Sequence, residues 1–287
     1  MHQLRPLAPL PPLFQGSPRI VQVLDAIRFE LWERDDLAEF SWFIREYPRV
    51  YRYHVANVEN RLTAIHRRYQ HFHAHFVQRL AVAGKDILQE AVSTKTVLEI
   101  YWDFEAFLNA ISSALDAIAR ILTTAFLEHT PSSFNKLIGK AHLGPYVAVL
   151  LRAKQRWVQR LKDYRDCFVH YTSVDTHLSC SCTRYQRGWQ VRCKLPVNPN
   201  ARDIIEFRWS RRHDVLTHAI AIWRHFVALD RKIAGMIQRD YRAGIYPVRT
   251  EHLFAVGQRM FSKKHARAQP VAPAPTAAEP DQAGATL

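Results

Sequence analysis

Residues 96–122 read TVLEIYWDFEAFLNAISSALDAIARIL, and this stretch decides the fold. Apolar residues fall on nearly every side of its helical wheel, so the predicted helix has to sit at the centre of a bundle. One stripe is polar: Glu105, Asn109, Ser112, Asp116 and Arg120 follow at steps of 4, 3, 4 and 4. Buried polar groups need partners. A neighbouring helix of opposite charge is therefore expected against this stripe.

Working outward, a first helix is predicted over 19–46 from Ile20, Val23, Leu24, Ile27 and Leu31 at helical spacing, with Pro48 ending or kinking it. A second helix runs over 49–82 and stops near Gly84. After the central helix, a short segment at 131–139 opens on Pro131 and closes on Gly139. A fifth helix starts at Pro145 and reaches about 171; a sixth covers 214–240 with Asp214 as N-cap. Between them lies THLSCSCTRYQRGWQVRCKL, residues 176–195, which predicts a β-hairpin turning at Arg187-Gly188. In that register Cys182 faces Cys193, and a further strand is predicted over 203–209. The expected class is all-α: an antiparallel helical bundle with a small β-hairpin insertion after the fifth helix. The folded unit is expected over 19–262, with its core at 96–240 and the β insertion at 174–210. The proline-rich residues 1–18 and the Pro/Ala-rich residues 263–287 read as disordered tails.

The chain has 287 residues, with Lys+Arg 40 against Asp+Glu 26, a net charge of +14. Hydrophobic residues make up 48%, so the charge does not signal wholesale disorder; it points to a polyanion partner, nucleic acid before an anionic membrane surface. With Gly 9 and neither G-x-G-x-x-G nor a P-loop, no nucleotide cofactor is expected. No apolar run of about 18 residues escapes a charge, and the N-terminus makes a poor signal peptide, so the reading is cytoplasmic without a membrane span. His71, His73 and His75 invite a metal site, but only His71 and His75 share a helical face. With Arg67 and Arg68 they read instead as a basic surface stripe. His177, Cys180, Cys182 and Cys193 lack the usual zinc spacing, and the three cysteines read as ordinary reduced strand residues.

The fifth helix, PYVAVLLRAKQRWVQRLKDYRDCFVHYTS at 145–173, carries the chemistry. Arg152, Lys154, Arg156, Arg160, Lys162 and Arg165 stand against the single acid Asp163 before it ends in Arg165-Asp-Cys-Phe-Val-His170. Arg-x4-His also occurs at Arg49/His54, Arg61/His66, Arg68/His73 and Arg208/His213. Only Arg165/His170 adds an acid after the arginine, an apolar pair before the histidine and a helix end.

On those residues the sequence resembles the HEPN superfamily, as a bacterial-type stand-alone member, over roughly 96–240. The resemblance implies a helical bundle acting as a homodimeric, metal-independent endoribonuclease, possessing no cofactor and serving in defence or as a toxin. It makes His170 the general acid/base and Arg165 the phosphate stabiliser, with Asp166 and Glu105 orienting them. Histidine titrates where such proton transfer is needed, and a guanidinium matches the growing phosphorane charge. Tyr171, Lys162, Arg160 and Arg156 are the expected RNA-binding residues. On an α-helix Arg165 and His170 lie about 140° apart, so a dimer is needed to close the site. An antitoxin or other regulatory protein is a further expected partner, although Thr172 stands where toxins modified on tyrosine carry their Tyr. The competing readings are a non-catalytic HEPN-like RNA-binding or dimerisation module, a plain ion-paired helix end, and a Cys167/His170 hydrolase.

Overall fold

The computed structural model describes residues 9–14, 16–33, 37–83, 87–91, 95–125, 133–139, 144–171, 179–185 and 188–245. Helix α1 covers Arg19–Glu33, α2 Leu37–Ala83, α3 Lys95–Ala125 and α4 Phe134–Ile138. A continuous helical run follows: α5 (Pro145–Ala153), a π turn (Lys154–Val158), α6 (Gln159–Asp166) and a second π turn (Cys167–Tyr171). Helix α7 is Val215–Arg242. Strands β1 (Ile87–Ala91), β2 (Ser179–Tyr185), β3 (Gly188–Pro196) and β4 (Trp209–Asp214) form one antiparallel sheet in that order. The mostly helical class with a small β insertion is therefore observed.

The central position of α3 follows from its composition. Val97, Ile100, Phe104, Phe107, Leu108, Ile111, Ala114, Ile118 and Leu122 are fully buried. By length and composition it is the one described helix apolar enough to cross a membrane, and 67% of that apolar window is buried inside the fold. Helix α2 runs antiparallel to it. Arg61 reaches Asp103 at 3.1 Å, and Arg68 reaches Asp103 at 2.6 Å and also pairs with Glu99.

Helix α7 closes the bundle through three carboxylates. Asp214, the predicted N-cap, accepts from Thr217 N at 3.0 Å, and also from the Tyr69 hydroxyl at 2.6 Å and Cys193 N at 2.9 Å. Asp230 accepts from Tyr51 at 2.9 Å and from the first amides of α1, Arg19 N at 2.8 Å and Ile20 N at 3.2 Å. Asp240 accepts from Tyr146 at 2.8 Å, which docks the start of α5.

Several expectations are corrected. Pro48 does not end a helix: α2 passes through it, and the first helix stops at Glu33 instead. Tyr51, Val55 and Val58 are buried just beyond Pro48, so packing outweighs the lost hydrogen bond. The hairpin pairs Tyr185 with Gly188, so Gly188 begins β3 and Cys180, not Cys182, faces Cys193. Those two are joined as a disulfide rather than reduced, leaving Cys182 as a buried thiol. The sheet holds two strands beyond the hairpin; β1 was not foreseen, and β4 begins where the 203–209 strand was expected to end. Within the supposed N-terminal tail, Leu10, Leu13 and Phe14 pack on the core, with the Phe14 ring 5.3 Å from Trp223. Residues 1–8 and 263–287, expected to be disordered, lie outside the described residues, as does His177.

Replacing Asp214 removes a helix cap and leaves the Tyr69 hydroxyl and the Cys193 amide buried without an acceptor. Asp214→Ala is expected to cost about 3 kcal/mol, and Tyr69→Phe about 1 kcal/mol. Urea denaturation of the three proteins checks this; an unchanged midpoint for Asp214→Ala would contradict it.

Candidate functional site

The helical run from Pro145 is held against α3 and α7 by a buried stripe: Leu150, Ala153, Trp157, Val158, Leu161, Tyr164, Cys167 and Phe168. At each π turn two consecutive residues face inward, Trp157 with Val158 and Cys167 with Phe168, as the extra residue per turn allows. Tyr164 donates to Pro196 O at 2.8 Å, and its ring lies edge-on to Phe104 at 6.4 Å. Phe168 meets Phe104 at 5.7 Å and Tyr101 at 5.9 Å. The inward residues thus fix the end of this run, and Arg165, Asp166 and Val169 face outward.

Arg165 donates from Nε at 3.0 Å and Nη2 at 2.7 Å to one oxygen of Asp166, with the two side chains 34% and 44% exposed. Asp166, expected to orient His170, holds Arg165. Glu105 is half-buried, and no hydrogen bond joins it to Arg165 among the described residues. The side chains of His170 and Tyr171 lie outside the described residues, but their backbone completes the second π turn. That turn closes from residue i to i+5 rather than i+4, so it winds less per residue than an α-helix. The backbone of position 170 therefore falls nearer the face of Arg165 than the 140° separation expected for an α-helix. Cys167 is fully buried, which disfavours the thiol-hydrolase reading.

The polar stripe of α3 is not buried as expected. Asn109 is exposed, and Glu105, Ser112, Asp116 and Arg120 are half-buried. The stripe is therefore the least buried side of α3, and α4 meets it at Asp116. Its acid serves different partners from those predicted. Asp116 accepts from Phe134 N at 2.7 Å and so caps α4. Its charge also acts on Lys162 and His54. Lys162 is nonetheless held below the usual ammonium range, by burial first and then by Arg165, with Lys154 adding to the push and Asp116 and Asp166 opposing it. His54 is lowered by burial and then by Arg120. His54 had no signal in the sequence that set it apart from the other Arg-x4-His histidines.

Of the expected RNA-binding residues, Arg156 and Arg160 are exposed on the outer face. Arg160 stands over the Tyr164 ring at 5.7 Å. Its charge adds to burial in lowering His213, and His218 falls to about 3, by burial first. His218 lies 4.6 Å from the Tyr164 ring and 6.4 Å from Phe104. The proposed surface stripe on α2 is broken: His71, His75 and Arg67 are exposed, but His73 is buried and Arg68 is engaged by Asp103 and Glu99. No group of three or more His, Cys, Asp or Glu side chains able to hold a metal ion occurs among the described residues. No family model, curated protein or solved structure matches the chain.

The His218 shift sets a pH dependence. Its folded value of about 3 lies below the ordinary 6.5, so its contribution to stability is complete above pH 6.5 and is lost as pH falls toward 3. His218→Phe keeps the aromatic contacts and removes the titration. Thermal melts across this range are expected to show a shallower acid loss in the variant than in the parent protein; parallel curves would contradict the burial of a neutral imidazole.

Proposed function

We propose that the chain is a HEPN-like, metal-independent endoribonuclease. The observation that carries this reading is Arg165, held by Asp166, half-exposed and two residues before a π turn that winds the His170 backbone toward it. Such turns recur at functional sites because they hold a helix off its resting geometry.

In this reading the 2′-hydroxyl of RNA attacks the adjacent phosphorus. One imidazole takes the 2′ proton, another donates a proton to the departing 5′-oxygen, and a 2′,3′-cyclic phosphate forms. His170 from each copy of a homodimer supplies the two imidazoles. Arg165 stabilises the charge gathering on the phosphorane, with Asp166 fixing the guanidinium plane. Lys162, Arg160, Arg156 and Tyr171 hold the strand. Glu105 is the second orienting group. Chemistry of this kind suits a defence or toxin role under a regulatory partner. In this reading the chain works in the cytoplasm with its RNA, although the Cys180–Cys193 link is of a kind rare there.

A second reading is favoured by the same ion pair. Arg165 is satisfied by its neighbour, as in a plain capped helix end, which suits a non-catalytic RNA-binding or dimerisation module.

RNA incubated in EDTA with the purified protein, Arg165→Ala and His170→Ala separates the two. The enzyme reading expects cleavage that EDTA spares. Arg165→Ala is expected to lose about 100-fold or more, and His170→Ala between about 100- and 10,000-fold. Intact RNA with the parent protein, or equal cleavage by all three, rejects it; salt-sensitive binding without cleavage selects the module.

A further inference from the structure

The polar stripe of α3 extends one step further than its acids and amides. Trp102 precedes Glu105 by three residues and is 54% exposed, on the same side of the helix as Asn109, Asp116 and Arg120. From Trp102 to Arg120 the open side runs about 27 Å, at 1.5 Å per residue. Cations lie on both walls. Helix α2 supplies Arg61, paired with Asp103, and also carries His54, which burial and Arg120 hold toward its neutral form. The α5–α6 run supplies Lys154, Lys162 and Arg165. Asp103 pairs with Arg61 and Arg68 and Asp166 with Arg165, so Arg120, Lys154 and Lys162 are the cations outside these pairs, against Asp116, which caps α4, and Glu105 on the floor. Tyr101 contacts Phe168, which places the Trp102 end of the stripe level with the second π turn.

A large exposed ring on a face edged by Lys154 and Lys162 is the pairing that single-stranded nucleic acid needs: charge for the phosphates and an aromatic face for a base. A duplex keeps its bases stacked and offers none to such a ring. We propose that the open side of α3 is a channel for single-stranded RNA in which Trp102 is the platform that stacks a base beside Arg165. The proposal rests on RNA being the ligand, as above, but not on cleavage.

The test is fluorescence anisotropy of a labelled uridine octamer with the full chain carrying His170→Ala, in EDTA so that no turnover intervenes. Adding Trp102→Ala is expected to weaken binding about tenfold, the loss of one base stack, while Trp102→Phe retains most of the affinity. The salt dependence should be unchanged by Trp102→Ala and reduced by Lys162→Ala, by about 0.7 in log–log slope for one phosphate contact. Equal octamer affinity for the parent and Trp102→Ala overturns the channel. So does a change of oligomeric state in sedimentation with RNA affinity intact, since Trp102 would then be a protein contact. Cleavage by the chain with native His170 is read separately. A chain that cleaves RNA while ignoring Trp102 overturns this inference and keeps the endoribonuclease, whereas Trp102-dependent binding without cleavage keeps the channel and rejects the enzyme.

Discussion

The tertiary structure depends on carboxylates buried along one helix. Asp214, the N-cap of α7, and Asp230 and Asp240 within it each accept from a tyrosine of another helix: Tyr69, Tyr51 and Tyr146. A buried carboxylate is expensive unless its oxygens are filled. Burial raises Asp214 and Asp230 above the usual carboxylate range, and the hydrogen bonds oppose that rise. Asp214 is bonded by Tyr69, Cys193 N and both donors of Thr217, so one residue joins α2, the sheet and the start of α7. Asp230 caps α1 from a distance of 211 residues. An apolar core packs these helices in many ways; the directional bonds to α7 select one.

That selection reaches the candidate site through α5 and α6. Tyr146 on Asp240 fixes the first turn of the run, and Tyr164 on Pro196 O fixes its last third. The two anchors are 18 residues apart in sequence, and the first π turn lies between them. Inward packing at the second π turn, by Cys167 and Phe168, then sets what the outward residues present. The position of Arg165 is thus determined by groups buried on the inner side of the run.

Helix positions were legible because the 3.6-residue period is written in apolar residues. Asp214 as N-cap and Pro145 at the first turn followed from local backbone chemistry alone. The hairpin register was not legible for a definite reason. Cys180, Cys182, Val191, Cys193 and Leu195 are all buried, so moving the pairing by two residues keeps every inward side chain inward. Only the turn distinguishes the two registers, and Arg187-Gly188 looked the better turn. Strand β1, ILQEA, has no alternation to reveal it, because its place in the sheet comes from its partner β2. The α3 stripe was found but misplaced: its spacing shows that it faces one way, and no sequence pattern says whether that way is covered.

The same limit applies to the motif, and the π turns show why. The α-helical wheel separates Arg165 from His170 because it assumes a fixed rotation per residue. Two adjacent residues, Cys167 and Phe168, face inward at the second π turn, as Ile222-Trp223 and Ile233-Ala234 do within α7. A π turn accommodates both by adding a residue to the turn, at the expense of poorer hydrogen bonding. The buried contacts with Tyr101 and Phe104 supply the compensation. The smaller rotation per residue of the π turn holds equally on its outer side, where the chemistry of the motif would lie. Of the apolar pair before His170, read in the sequence as a family mark, Phe168 packs inward beside Cys167, whereas Val169 is exposed.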